Sequence, residues 1–264
     1  TTQVGPDDVR VTTHFVTDKL NPSLFATIHE GGHALYDQGR DSLLKWLYLD
    51  KGYSHGVHES QSRMWENIVG RSLPFWKFFY PTLQTIFPLF KGVALDDFYR
   101  AINTVKPSLI RIYADEVTYN LHIVLRFEIE EALLRGELKV NDLPELWNAK
   151  MQEYLGIVPE NDAKGVLQDV HWSEGYFGYF PTYMLGNLYA AQLFATAKRE
   201  IINLEDEISG GNLNILREWL RAKVHRFGLI HEAPELLQEV TGKGPTPEPW
   251  LNYIKEKFNK IYAI

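Results

Sequence analysis

The stretch His29-Glu30-Gly31-Gly32-His33 sets two imidazoles four residues apart, with a carboxylate beside the first. On a helix, residues four apart share a face, so His29 and His33 can offer ring nitrogens to one metal ion. Glu30 need not ligate and is free to take a proton from metal-bound water, the division of labour that zinc-dependent peptide hydrolysis requires. Such a string also arises by chance, so its surroundings matter. Asn21-Pro22 supplies a cap and a first-turn proline, Gly39 a stop, and Leu24, Phe25, Ile28, Ala34 and Leu35 an apolar face. Gly31 and Gly32 each cost a helix about 1 kcal/mol relative to alanine. Close approach of a substrate or another backbone over this turn explains their presence.

Two histidines do not complete a catalytic zinc site, which takes three protein ligands. Downstream candidates are Asp37, His55, His58 and Glu59. Asp37 follows His33 by one helical turn but points progressively away. Glu59 opens the next expected helix, so one helix would give two imidazoles and a second a carboxylate. A carboxylate at a helix start can also simply complement the helix dipole. After the histidine pair, the ligand reading of Glu59 is favoured.

Composition bounds the rest. The 264 residues suffice for a substantial core, and 45% hydrophobic and 13% aromatic content excludes a disordered chain. A formal charge of -7, without a basic run, argues against nucleic acid as a partner. Cysteine is absent, which removes disulfides, thiolate ligands and a cysteine nucleophile, so a metal must use His and carboxylate. No signal peptide or membrane span is visible, since Pro74, Lys77, Pro81 and Pro88 interrupt the most apolar region. A cytoplasmic location is the default expectation.

The elements that must position these groups are mostly helical. A turn at Gly5-Pro6-Asp7-Asp8 leads to an extended run over Val9–Val16, whose alternation suits a strand. The HEGGH helix follows, then a short apolar segment from Asp41 to Leu49 closing at Asp50-Lys51-Gly52, a Gly/His loop from Gly52, and a helix over Ser60–Arg71. Segments 73–90 and 95–105 read as helical, with Pro and Gly at their joints. Pro107–Asp115 resembles a strand or extended approach to a helix over Glu116–Arg135 that stops at Gly136. Another helix, Leu143–Leu155, stops at Gly156. A helix after the Gly175–Tyr183 run extends to about Asn203, and three more occupy 204–262. No repeat and no composition break demands a second domain, so residues 1–264 read as a single, mainly α catalytic region.

Five strings then carry a resemblance: DVRVT (8–12), HEGGHALYDQG (29–39), HESQ (58–61), IRIYAD (110–115) and GVLQDVHW (165–172). In this order they resemble motifs of the M32, carboxypeptidase Taq, family of metallocarboxypeptidases. The resemblance implies a multi-helix zincin-like peptidase fold with a small β element near the active site, usually homodimeric, that trims single amino acids from peptides with a free C-terminus. It also implies one divalent metal, zinc first and cobalt or manganese as alternatives, on His29, His33 and Glu59, with Glu30 as base. Family members carry a long helical N-terminal region and an HPF motif before DxRxT. Thr1 stands only seven residues before Asp8. The family's N-terminal half is therefore expected to lie outside this sequence, on a longer chain or a partner, which leaves autonomous activity open.

Hydrolysis also needs a donor for the tetrahedral oxyanion. Tyr183, Tyr179 and His171 are the candidates, because the GYFGYFPTY run is too glycine-rich for simple core packing; the plain alternative is core residues with a hydrogen-bonded tip. A terminal carboxylate calls for a guanidinium. Arg111 and Arg10 sit between apolar neighbours, and the IRxxAD motif puts Arg111 first. An ion pair of Arg111 with Asp115 or Asp169, and of Arg10 with Asp8, is the structural alternative. Gln61, Gln168, Asp169 and His171 are read as supporting or substrate-contacting groups. A ligating histidine needs a partner on its other nitrogen, and none can be assigned to His29 from spacing. His14, His55, His122, His225 and His231 are read as structural or solvent-exposed. Two further readings stand beside the carboxypeptidase: a neurolysin-like oligopeptidase with the same ligand spacing, and a non-catalytic metal-binding or assembly module.

Overall fold

The computed structural model describes residues 1–5, 8–17, 19–47, 49 and 54–264, with only the backbone at 45 and 46. The expected turn residues Pro6 and Asp7, and the loop residues 50–53, lie outside them. The chain divides into two compact units, one of residues 1–102 and 185–264, the other of residues 103–184.

The first unit begins with a small antiparallel hairpin, β1 (Thr2–Gly5) and β2 (Asp8–Arg10), in which Thr2 faces Arg10 and Gln3 faces Val9. The strand expected over Val9–Val16 stops at Arg10. β1 offers only four residues of backbone partners, and Val11 and Phe15 are exposed rather than laid on a core. Gln3 reaches the end of the next helix, accepting from Arg40 Nη2 at 2.5 Å, so the β element sits against the HEGGH helix.

That helix, α1, spans Leu20–Gly39. Lys19 takes the cap position without a side-chain bond, so the expected Asn21 cap is not realised and Pro22 lies in the first turn, where no N–H is needed. Gly39 is the last residue of the helix, and packing requires a glycine there: a Cβ would lie 2.4 Å from His225 Nδ1. The second helix, α2 (His55–Arg63), starts five residues earlier than Ser60, because Ser54 Oγ caps it by accepting from Val57 N at 3.3 Å. It widens into a π-helical turn over Met64–Val69, closed by Gly70 N donating to Trp65 O at 2.8 Å.

Ser72 caps α3 (Leu73–Ile86), which holds Pro74 in its first turn but also Pro81 in its interior, so not every proline marks a joint. The helix α4 (Leu95–Ile102) packs Phe98 and Ile102 on Trp76, Tyr80 and Phe25. In the second unit, α5 (Tyr119–Leu134) and α6 (Leu143–Leu155) stop at Gly136 and Gly156, both with positive φ, and enclose Leu125, Ile129, Trp147 and Met151. Residues 107–115 form no strand. Gln168 satisfies their backbone instead, accepting from Arg111 N at 2.8 Å and donating to Leu109 O at 3.0 Å, and Arg111–Tyr113 coil into one tight turn.

The helix α7 spans Pro181–Glu200. After it come four helices rather than three: α8 (Leu204–Ser209), α9 (Asn214–Lys223), α10 (Ala233–Thr241) and α11 (Glu248–Tyr262). The Gly210-Gly211 pair, with Gly211 at φ 82°, separates the short α8 from α9. Leu193, Leu216, Leu220 and Leu237 join Met64 and Trp65 in the main core of the first unit. No helix among the described residues is long and apolar enough to cross a membrane.

Candidate metal centre

α1 presents His29 and His33 on one face, and α2 carries Glu59 to them from its second turn, not from its start. Glu59 Oε2 lies 3.8 Å from His29 Nε2 and 3.4 Å from His33 Nε2. One donor atom from each of the three falls within 4.8 Å of the others. Ligands at zinc-type bond lengths on neighbouring tetrahedral corners stand roughly 3.3 Å apart. The two imidazoles and the carboxylate therefore fit a divalent cation in donor type and in spacing. Among the described residues this is the group that converges in this way.

Backbone contact makes the convergence possible. A Cβ on Gly32 would lie 2.7 Å from both Gln61 O and Ser62 Cα, so α1 and α2 touch there main chain to main chain. Gly31 faces open space, with nothing within 4 Å of the position of its Cβ. From the other side, Gly186 of α7 leaves room for Glu59: a Cβ on it would fall 2.4 Å from Glu59 Cγ.

Each charged donor is braced. His29 Nδ1 sits 2.9 Å from Glu66 Oε2, which supplies the partner that spacing left unassigned. Arg63 ties the two carboxylates together, with Nε 2.8 Å from Glu59 and Nη1 3.3 Å from Glu66. Burial alone would raise the pKa of Glu66, but Arg63, His29 and Arg71 overcome it and hold it down to about 2. Glu59 is treated alike: burial opposes its charge, and Arg63, His29 and His33 pull its pKa far below the usual carboxylate range. Both are thus ready as anions.

Asp37 and His58, weighed as third ligands, stand behind His33 instead. His58 Nδ1 is 2.6 Å from His33 Nδ1, and His58 Nε2 is 3.1 Å from Asp37 Oδ1. Glu30 is half-buried on α1, and its Oε2 is met by the Thr1 hydroxyl. Gln61 is fully buried, with Oε1 2.9 Å from His225 Nε2; it supports α1 from beneath and does not face a surface open to substrate. Arg10 is exposed and bonded to Asp8, with Nη2–Oδ2 at 2.8 Å, the local pair weighed as its structural alternative.

The second unit gathers a different set. Arg111 is buried and chelated by Asp169, with Nη2 at 2.7 Å and Nε at 3.1 Å, while its Nη1 donates to Tyr119 Oη at 2.8 Å. Asp115 does not compete for it, because it accepts from the Val117 and Thr118 amides at 2.9 Å and so opens α5. Arg126, which spacing did not single out, reaches the other oxygen of Asp169 at 2.6 Å and is fully buried. Burial would raise the pKa of Asp169, but the two guanidiniums lower it. Tyr183 lies under Arg111, 4.6 Å from ring centre to guanidinium, and its hydroxyl is 3.0 Å from His171 Nε2. Burial, then Arg111, lowers the pKa of His171, which favours the neutral ring. Tyr179 stacks edgewise on Tyr183 at 5.5 Å.

A mainly helical chain that turns two imidazoles and a carboxylate to one point has the framework of a metallopeptidase. The family model described as carboxypeptidase Taq (M32) metallopeptidase matches residues 1–258, and the chain belongs to that family. It is 49% identical over 260 residues to thermostable carboxypeptidase 1 of Thermus thermophilus, covering 98% of this chain and 51% of that protein. Carboxypeptidase 1 of Bacillus subtilis is 44% identical over 264 residues, with coverage of 100% and 53%. Among solved structures, the M32 carboxypeptidase from Deinococcus radiodurans superposes with a TM-score of 0.98 at 42% identity, covering all of this chain and 53% of that one. Trypanosoma cruzi metallocarboxypeptidase 1 does so with a TM-score of 0.90 at 38% identity, covering 94% and 52%. The chain spans about half the length of the curated relatives it matches.

Proposed function

We propose that this chain carries the metal-binding and hydrolytic groups of a metallocarboxypeptidase, which cleaves the last peptide bond of a substrate with a free C-terminus and releases single amino acids. The observation that carries this reading is the convergence of His29, His33 and Glu59 within 4.8 Å, with Glu30 next to the first ligand. The names of the relatives point to the same reaction class. A divalent cation on these three side chains, zinc before cobalt or manganese, supplies Lewis acidity that lowers the pKa of water and polarises the scissile carbonyl.

The protein's own groups do the rest. A Glu30 carboxylate oxygen accepts the proton of the attacking water and returns it to the leaving amine nitrogen. Tyr183, whose hydroxyl can donate, is the first candidate to stabilise the oxyanion, with His171 beside it. Arg111 recognises the terminal carboxylate: Asp169 and Tyr119 engage three of its five N–H groups, which leaves one on each terminal nitrogen. Two guanidiniums on one aspartate also leave a net positive charge that a substrate carboxylate would balance.

Product analysis on matched peptides tests the proposal. Release of one C-terminal residue at a time, blocked by C-terminal amidation, is the expected outcome; internal cleavage would indicate an oligopeptidase. Glu30→Gln should lower turnover by about 10²–10⁴-fold, the usual worth of a general base, while bound zinc is retained. Full activity in that variant removes Glu30 as the base. Stoichiometric zinc uptake with no hydrolysis by the unaltered chain would reduce it to a binding module.

A further inference from the structure

The two histidines of the candidate site are held by different devices. His29 meets a carboxylate directly, Glu66 at 2.9 Å. His33 meets another imidazole, with 2.6 Å between the two Nδ1 atoms, and only that second ring meets a carboxylate, Asp37 at 3.1 Å. We infer that His58, backed by Asp37, is a positioning residue that locks His33 in the tautomer a metal requires, with Nδ1 protonated and the Nε2 lone pair facing Glu59.

The donors and acceptors along the chain of rings fix the tautomer. Two ring nitrogens 2.6 Å apart need one hydrogen between them. An ionised carboxylate only accepts, so the hydrogen between His58 and Asp37 sits on His58 Nε2. A neutral His58 then has a bare Nδ1, which must accept. His33 Nδ1 is therefore the donor, and its Nε2, 3.4 Å from Glu59 Oε2, carries the lone pair. The chain of bonds thus writes the ligating tautomer of His33 into the protein before any ion binds.

The relay is anchored at its far end and clamped along its length. Arg40 Nη2 lies 3.2 Å from Asp37 Oδ1, and the Arg40 and Asp37 side chains are both nearly buried. The main-chain contact at Gly32 fixes α1 against α2, and with it the spacing of His33 and His58. His58 precedes the ligand Glu59 in sequence, so one helical turn of α2 supplies both a donor for the ion and an orienting group for another donor.

The inference rests on the reading of His29, His33 and Glu59 as metal ligands, and its test separates the two. In metal-free protein with ¹⁵N-labelled histidine, at mildly alkaline pH, long-range NMR should find His33 protonated at Nδ1 and bare at Nε2. His58→Leu, which fills space without bonding, should erase that preference and weaken zinc binding in a chelator competition by about 10–100-fold, the usual cost of losing the partner of a ligating histidine. His58→Gln, whose amide can accept from His33 and donate to Asp37, should restore zinc affinity to within a few-fold. A His33 protonated at Nε2 in the unaltered protein overturns the inference, as does a folded His58→Leu protein with unaltered zinc affinity. His33→Ala locates the fault: if it too leaves zinc affinity unchanged, the metal-site reading has failed; if it abolishes binding while His58→Leu does not, only the relay has.

Discussion

The two compact units bury charge with opposite imbalance. In the first, the imidazoles of His29 and His33 and the carboxylate of Glu59 turn donor atoms toward one point, Glu66 backs His29 on its other nitrogen, and Arg63 is the counter-charge of both glutamates. In the second, Arg111 and Arg126 share the single carboxylate of Asp169. Burying an unbalanced charge is costly, so a fold keeps one where something else completes it. A lone-pair-rich site is completed by a cation and a guanidinium-rich one by an anion.

The largest expected effects belong to two carboxylates, Glu59 and Asp169. Glu59→Ala removes one of the three proposed ligands and should weaken zinc binding on the order of a thousandfold or more, beyond the 10–100-fold typical of a ligand's partner. Unchanged metal content would pass the third position to another group, with His58 and Asp37 the nearest. Asp169→Asn should leave zinc affinity alone, since its partners lie in the other unit. It leaves two buried guanidiniums without their counter-charge, a loss of about 3 kcal/mol in stability. Urea unfolding followed by the fluorescence of Trp147 and Trp172 reads that loss. A variant as stable as the parent would mean that the arginines find other partners, and the imbalance would then not be built in.

How much of this was legible in the sequence depended on how local each feature is. The His29/His33 pair obeys a four-residue rule within one helix, and Gly136 and Gly156 stop their helices where expected. Glu59 could be nominated because a zinc site wants a third ligand. Glu66 was invisible as the partner of His29, although it follows Glu59 by seven residues. The intervening π turn shifts the phase of the helix, and a glutamate on a helix is ordinarily solvated. Arg126 has its partner 43 residues away, beyond any periodicity argument; its one signal was a charge set between Leu125 and Phe127. Helix starts were misplaced at Asn21 and Ser60 because Lys19 and Ser54 hold the cap positions.

Two glycines, Gly186 and Gly31, carry smaller energies. Gly186→Ala drives a methyl into Glu59 and should cost about 1–3 kcal/mol as overpacking, with a measurable fall in zinc affinity. Gly31→Ala, between the two histidines in sequence, meets open space and should stabilise α1 by about 1 kcal/mol. Thermal unfolding of the two variants, with zinc titration, separates room needed by a ligand from mere helix weakness. Equal effects of the two substitutions would remove the special place of Gly186.

The smallest effect, per unit of pH, compares the units through one buried histidine each. Burial, reinforced by Arg126 and Arg111, pushes His122 of the second unit down to about 3 from 6.5. Burial, reinforced by Arg221, does the same to His225 of the first, which sits against Gln61 beneath α1. The unfolded chain takes up these protons near pH 6.5, whereas the folded one resists until about pH 3. Each histidine's contribution is therefore fully present above its unfolded pKa and is lost as pH falls toward the folded value, at about 1.4 kcal/mol per pH unit. The upper part of that window isolates the histidines, because carboxylates in an unfolded chain titrate mainly near pH 4. Urea unfolding between about pH 5 and 6.5 should lose roughly one proton's worth of slope in His122→Gln and again in His225→Gln. If neither variant flattens the slope, these rings are charged in the folded protein, and the positive imbalance of the second unit is larger by a full charge than Arg111, Arg126 and Asp169 alone provide.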